Sequence, residues 1–93
     1  MITIVFTKAA QKSFRKAPPQ VQQKLKVFVA LVKRNGFSDK MDWQGFSPEM
    51  LQGERWGQYS IRLNRQWRAI LTETHETLTL TIVEITPHDY RVR

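Results

Sequence analysis

The chain contains no cysteine. Disulfides and thiolate metal sites are thereby excluded, and a reducing, cytoplasmic setting is the expected one. Long hydrophobic runs are missing too. The opening MITIVFTKAAQ has one short apolar stretch with no basic residue before it, unlike a signal peptide or a membrane span, so a soluble chain is expected. There is no glycine-rich phosphate loop, no nucleophile elbow and no HExxH sequence, which removes P-loop nucleotide binding, serine-hydrolase chemistry and zincin chemistry from consideration. The two histidines, His75 and His88, form a poor metal set without cysteine, and neither metal nor cofactor is expected. Repeats and low-complexity segments are absent. At 93 residues the chain supports one domain, 1–93, with a single modest core.

The most informative shortage is of acid. Residues 1–38 carry six lysines and two arginines and no acid, giving +8, while residues 39–93 hold seven bases against eight acids, giving −1, for the net +7. The N-terminal part is a polycation, suited to nucleic acid, the ribosome or another polyanion, although a solvated helix surface also satisfies the pattern. Every lysine lies at or before Lys40, and six of eight arginines lie at or after Arg55. Lysine suits diffuse attraction, whereas arginine suits forked contacts to phosphate or carboxylate.

ITIVF, residues 2–6, predicts a buried strand. Thr7 then caps a helix in which Ala10, Phe14 and Ala17 take the apolar positions, leaving Lys8, Lys12, Arg15 and Lys16 toward solvent. Pro18 and Pro19 end that helix and begin another, with Val21, Leu25, Phe28 and Val32 on its apolar stripe and Asn35-Gly36 as its stop. Residues 38–50 have no period and predict a loop or short irregular segment, long enough to fold over a site. Three strands follow within 58–64, 66–74 and 77–85. The order βααβββ predicts an α+β fold, two N-terminal helices packed on one face of a small, largely antiparallel sheet.

In LQGERWGQYSIRLNRQWRAIL, residues 51–71, strand alternation puts Tyr59, Ile61 and Leu63 on the core side and Ser60, Arg62 and Asn64 on the other. A loop at Asn64, Arg65 and Gln66 pairs Leu63 with Trp67, Ile61 with Ala69 and Tyr59 with Leu71. Arg62 then lies opposite Arg68. Like charges across a strand pair are unfavourable by a few tenths to about 1 kcal/mol, so either an anion such as a phosphodiester is shared by the two guanidiniums, or each pairs with an acid such as Glu84, Glu73 or Asp89 or reaches water. Trp67 is expected in the core. Trp43 and Trp56 fall in loops open to a partner. His88 and Tyr90, after the last strand, are the other candidates for chemistry: histidine transfers protons near neutral pH, and tyrosine stacks on a base or donates a hydrogen bond, while both types are also common as ordinary edge residues. His75, in the polar ETHET, is expected in solvent.

The run LQGERWGQYSIRLNRQWRAIL and the ending VEITPHDY resemble the HigB branch of the RelE/ParE toxin superfamily, the toxins of bacterial type II toxin–antitoxin pairs. The likeness covers residues 51–90 by motif and 1–37 by element order. It implies a RelE-like fold and a ribosome-dependent endoribonuclease that cuts mRNA without a metal, the scissile nucleotide's 2′-hydroxyl acting as nucleophile. It implies a cognate helix-turn-helix antitoxin, HigA-like, as partner, with the ribosome and mRNA as targets. Arg62 and Arg68 match the basic positions that stabilise the phosphate, and Asp89 and Tyr90 match the acid-Tyr pair of the tail. The chain departs from the pattern at Glu49, where HigB members can carry histidine, at Arg91, where they end in histidine, and at His88, which precedes the Asp-Tyr pair. Glu49 and His88 then stand as the candidates for acid and base, a glutamate with a histidine being similar to what YoeB toxins use. Lys8, Lys12, Arg15, Lys16, Arg55, Arg65 and Arg91 are the candidate RNA and ribosome contacts. Two other functions fit the same features: a non-enzymatic gyrase inhibitor of ParE type, and a basic RNA-binding module without catalysis.

Overall fold

A computed structural model describes residues 2–38 and 45–90. The chain begins with β1, Thr3–Phe6, which lies at the sheet edge with its residues alternately exposed and half-buried, not the buried strand the apolar run predicts. Thr7 turns it into helix α1, Lys8–Lys16, its hydroxyl accepting from the Ala10 amide at 3.0 Å and thus satisfying one of the open N–H groups of the first turn. Ala17 ends α1 in extended conformation ahead of Pro18, as the restriction on a residue before proline requires. Helix α2, Pro19–Asn35, takes proline in its first turn, where no donor is lost. It closes on Gly36, whose φ of 79° lies in the left-handed region and whose amide reaches the Val32 carbonyl at 2.7 Å.

The sheet continues with β2, Glu49–Met50, then a single 3₁₀ turn, Gly53–Arg55, and the strands β3, Gln58–Arg62, β4, Arg68–Thr74, and β5, Thr79–Thr86. The strand order is β1-β5-β4-β3-β2, with β1 parallel to β5 and the other pairs antiparallel. The observed order is therefore βααββββ. The added strand, β2, falls inside the segment expected to be a loop, and it pairs with β3 through Glu49 opposite Ser60 and Met50 opposite Tyr59. Within that same segment Phe46 is fully buried against Phe28, with ring centroids 5.2 Å apart. Trp43, in the same loop, lies outside the described residues.

One apolar cluster joins both helices to one face of the sheet: Ala10, Val21, Leu25, Phe28 and Val32 from the helices meet Ile61, Ala69, Leu71, Leu80, Ile82 and Ile85. This is the expected α+β arrangement. Tyr59 and Trp67 are half-buried at its margin rather than inside it. Among the described residues no helix is long and apolar enough to cross a membrane.

The face turned away from the helices carries the facing pair Arg62 and Arg68. Ile70, Leu51 and Ser60 are buried outside the helix-facing cluster, so this second face is also covered in part.

Candidate functional site on the second sheet face

The hairpin of β3 and β4 has the register its alternation predicts: Tyr59 opposite Leu71, Ile61 opposite Ala69 and Arg62 opposite Arg68. Its loop is tied by Asn64, whose side-chain oxygen accepts from the amides of Gln66 at 2.8 Å and Trp67 at 2.7 Å, while the amides of Leu63 and Asn64 donate to the Trp67 carbonyl. Arg65 lies exposed at the tip.

The two facing arginines have different environments. Arg62 is exposed, and among the described residues its side chain has no hydrogen-bond or ion-pair partner. Arg68 is 5% exposed. Its Nη1 donates to the carbonyls of Asn64 at 2.9 Å, Trp67 at 3.1 Å and, more weakly, Arg65 at 3.4 Å, and its Nη2 lies 3.9 Å from an Asp89 oxygen. The Arg68 guanidinium is folded back into the hairpin loop, and its charge is met by Asp89, one of the acids offered as partners by the sequence.

Cross-strand partners share a face, so the register places further residues here. Glu49, Ser60, Ile70 and Glu84 form one row across β2, β3, β4 and β5, and Arg62, Arg68 and Thr86 form the next. Glu49 and Glu84 are thus three strand spacings apart, about 14 Å between backbones. Glu84 owes its place to a β-bulge. Leu71 pairs with Ile82 and Ile70 with Glu84, so Val83 is the extra residue, and the alternation of β5 changes phase there. Without the bulge, Glu84 would share the face of Ile82 and point into the helix-facing core.

Residues 87–90 follow β5 beside this face. The His88 amide donates to the Thr86 hydroxyl at 3.0 Å, a local turn that redirects the chain. Asp89 approaches Arg68, and the Tyr90 hydroxyl donates to Glu84 Oε2 at 3.0 Å. Arg55 completes the group: its Nη2 meets Glu84 Oε1 at 3.3 Å, its Nη1 donates to Gln58 at 2.9 Å, and its guanidinium carbon stands 3.6 Å from the centroid of the Tyr90 ring. His88 is exposed, with its ring edge-on to Tyr90 at 4.3 Å. Burial first, then the hydrogen bond and charge of Glu84, push the Tyr90 phenol above its ordinary 10.0, with Arg55 pulling the other way.

Of the residues singled out in the sequence, Arg62, Arg68, Glu49, His88, Asp89 and Tyr90 therefore share one face or border it, and Arg55 joins them. Of the two facing arginines, Arg68 meets an acid, Asp89, and Arg62 reaches water; Arg55, outside that pair, meets Glu84. Lys8, Lys12, Arg15 and Lys16 are exposed on α1, whose buried side packs on the other face of the sheet. Arg91 lies outside the described residues. His75 is in solvent as expected, 3.6 Å from Glu73. Trp56 is 67% exposed. Among the described residues no group of three or more His, Cys, Asp or Glu is placed to hold a metal ion. The residues missed in the sequence are Glu84 as an organiser and Asn64 as the loop tie. A signal for the first exists: in TLTLTIVEI the apolar positions fall on Leu78, Leu80 and Ile82 and then on Val83 and Ile85, a phase slip that marks the bulge.

No family model and no curated protein matches the sequence. Solved structures do. The YoeB/ParE toxin from Agrobacterium tumefaciens superposes with a TM-score of 0.75 at 18% identity, over 95% of this chain and 100% of that one. The YoeB dimer from Staphylococcus aureus gives 0.73 at 21% identity over 95% and 98%. The archaeal RelE-RelB complex from Pyrococcus horikoshii OT3 gives 0.71 at 17% identity over 92% and 93%. At these identities the likeness is one of fold: two helices on a mixed five-stranded sheet, as in RelE-like toxins.

Proposed function

We propose that the chain is the toxin of a type II toxin–antitoxin pair, a HigB-like member of the RelE/ParE superfamily, and that it cleaves mRNA on the ribosome in the cytoplasm. The observation that carries this reading is the second sheet face. An exposed Arg62 stands beside a buried, fixed Arg68, with Glu49 on one side and His88 and Tyr90 on the other. On this reading the Arg62 guanidinium binds the non-bridging oxygens of the scissile phosphate and stabilises the charge that grows as the 2′-oxygen attacks phosphorus. Glu49 and His88 divide the proton work, one taking the 2′-hydroxyl proton and the other protonating the departing 5′-oxygen. Arg68 adds fixed positive potential behind the phosphate and keeps the loop carrying Arg65 in shape. No step requires a metal, because charge stabilisation and two proton carriers are sufficient for an attack by the 2′-oxygen.

The fold neighbours support the partner as well as the class. YoeB of Staphylococcus aureus forms a heterotetrameric complex with YefM, and the archaeal RelE is bound to RelB. An antitoxin, helix-turn-helix and HigA-like, is the corresponding partner for this chain. The deciding experiment combines purified ribosomes, a programmed mRNA and the protein, followed by mapping of the cut. Cleavage within the A-site codon is expected. Intact mRNA together with inhibition of DNA gyrase supercoiling would replace the reading with the ParE type.

A further inference from the structure

Glu84 has no part in the reaction proposed above, yet its carboxylate is where three other segments meet. One oxygen binds Arg55 of the 3₁₀ turn at 3.3 Å and the other accepts from Tyr90 of the tail at 3.0 Å. Arg55 closes the triangle by lying 3.6 Å over the Tyr90 ring, and it is itself held by Gln58 at the start of β3. The far end of this chain of contacts is His88, edge-on to Tyr90 at 4.3 Å. Residues 87–90 follow the last ladder pair, so their position depends on side-chain contacts instead of sheet hydrogen bonds.

We infer that Glu84 is a positioning residue: it clamps Tyr90 between itself and Arg55 and thereby holds His88 at the border of the arginine face. What the clamp positions rests on the ribonuclease reading; the clamp itself does not. Arg55 on this account serves the protein's own tail, and one face of the Tyr90 ring is taken by its guanidinium and closed to a base. The groups facing the phenol are Glu84 from β5, Arg55 from the 3₁₀ turn and His88 from the tail. Because the folded chain holds the phenolic proton more tightly than the unfolded chain, the clamp is fully present below the ordinary phenol value of 10.0 and weakens as pH rises past it.

The test is a phenolate absorbance titration in a Tyr59→Phe background, which leaves Tyr90 as the only tyrosine. The parent midpoint is expected above 10.0, raised by burial and by Glu84. Glu84→Gln lowers it, Glu84→Asp restores part of the shift, and Arg55→Met raises it, since the guanidinium works against the carboxylate. In the ribosome assay Glu84→Gln lowers turnover by about 10- to 100-fold with ribosome affinity retained, as expected when a proton carrier is misplaced. A phenol midpoint that Glu84→Gln and Arg55→Met both leave unchanged, in chains with parental circular dichroism, overturns the clamp. A parent that does not cut mRNA while its phenol titration responds as described supports the clamp and overturns the ribonuclease reading alone.

Discussion

Arg62 and Arg68 are opposite one another in register, but their surroundings assign them separate work. On the proposed ribonuclease reading, the exposed Arg62 is the group an incoming phosphate meets. Arg62→Ala should preserve the circular dichroism spectrum and lower cleavage by about 10² to 10³, the usual loss for one donor to a developing oxyanion. Arg68→Ala removes a buried guanidinium that satisfies loop carbonyls, and leaving such groups unpaired costs about 1 to 3 kcal/mol, so a lower urea midpoint is expected before any effect on chemistry is read. Arg68→Lys should recover little, because a single ammonium does not reproduce the fork. For the proposed proton carriers, His88→Gln and Glu49→Gln should each slow the cleavage step by about 10² and each remove a different limb of the pH–rate bell. Parent rates in both would move the acid and base roles to Asp89 and Tyr90. The facing of the arginines was legible in the sequence because alternation and loop length constrain a hairpin locally. The burial of Arg68 was not, since it depends on its own loop's carbonyls and on a tail that arrives 21 positions later at Asp89.

Among the elements, the corner from β1 into α1 and the bulge of β5 act as one unit. The Thr7 hydroxyl accepts from Ala10 to cap α1 and donates to the carbonyl of Val83, the bulged residue, at 2.7 Å. Its amide reaches Ile82 at 3.0 Å. The same threonine that starts the first helix therefore satisfies the carbonyl freed where β5 changes phase, and that phase change puts Glu84 on the arginine face. Thr7→Val, which keeps the branched shape and loses the hydroxyl, should lower stability by about 1 to 2 kcal/mol, whereas Thr7→Ser should lie close to the parent; denaturant midpoints measure both. The cap itself is readable from Thr7 alone, as the helices are from their apolar spacing and prolines. β2 was not readable, because two paired residues amid glycine, serine and proline carry no period; Phe46 and the hydrogen bond from the Arg62 amide to its carbonyl hold that segment to the sheet.

Across the whole molecule, charge is divided between two sides. The sheet face combines arginines with Glu49, Glu84 and Asp89, whereas the helical side is basic without any acid in its first 38 residues. This separation explains why the arginine and lysine biases of the sequence fall in different segments: fixed contacts need the rigid strands, and diffuse attraction needs only an exposed helix surface. Lys8, Lys12 and Lys16 are exposed on α1, whose buried side packs on the sheet face opposite the arginines. Replacing all three with glutamine should weaken ribosome association and reduce the slope of log affinity against log salt by as much as about 2 to 3, the value for three phosphates that are no longer neutralised. Single-turnover cleavage at saturating ribosome should stay near the parent rate, because the proposed site lies on the other face of the sheet. An unchanged salt slope would remove the helical face from the ribosome contact and leave its charge as a solvated surface. A slope unchanged with the cleavage step slowed would instead mean that α1 acts through the core on β5, along the Thr7 contact that joins them.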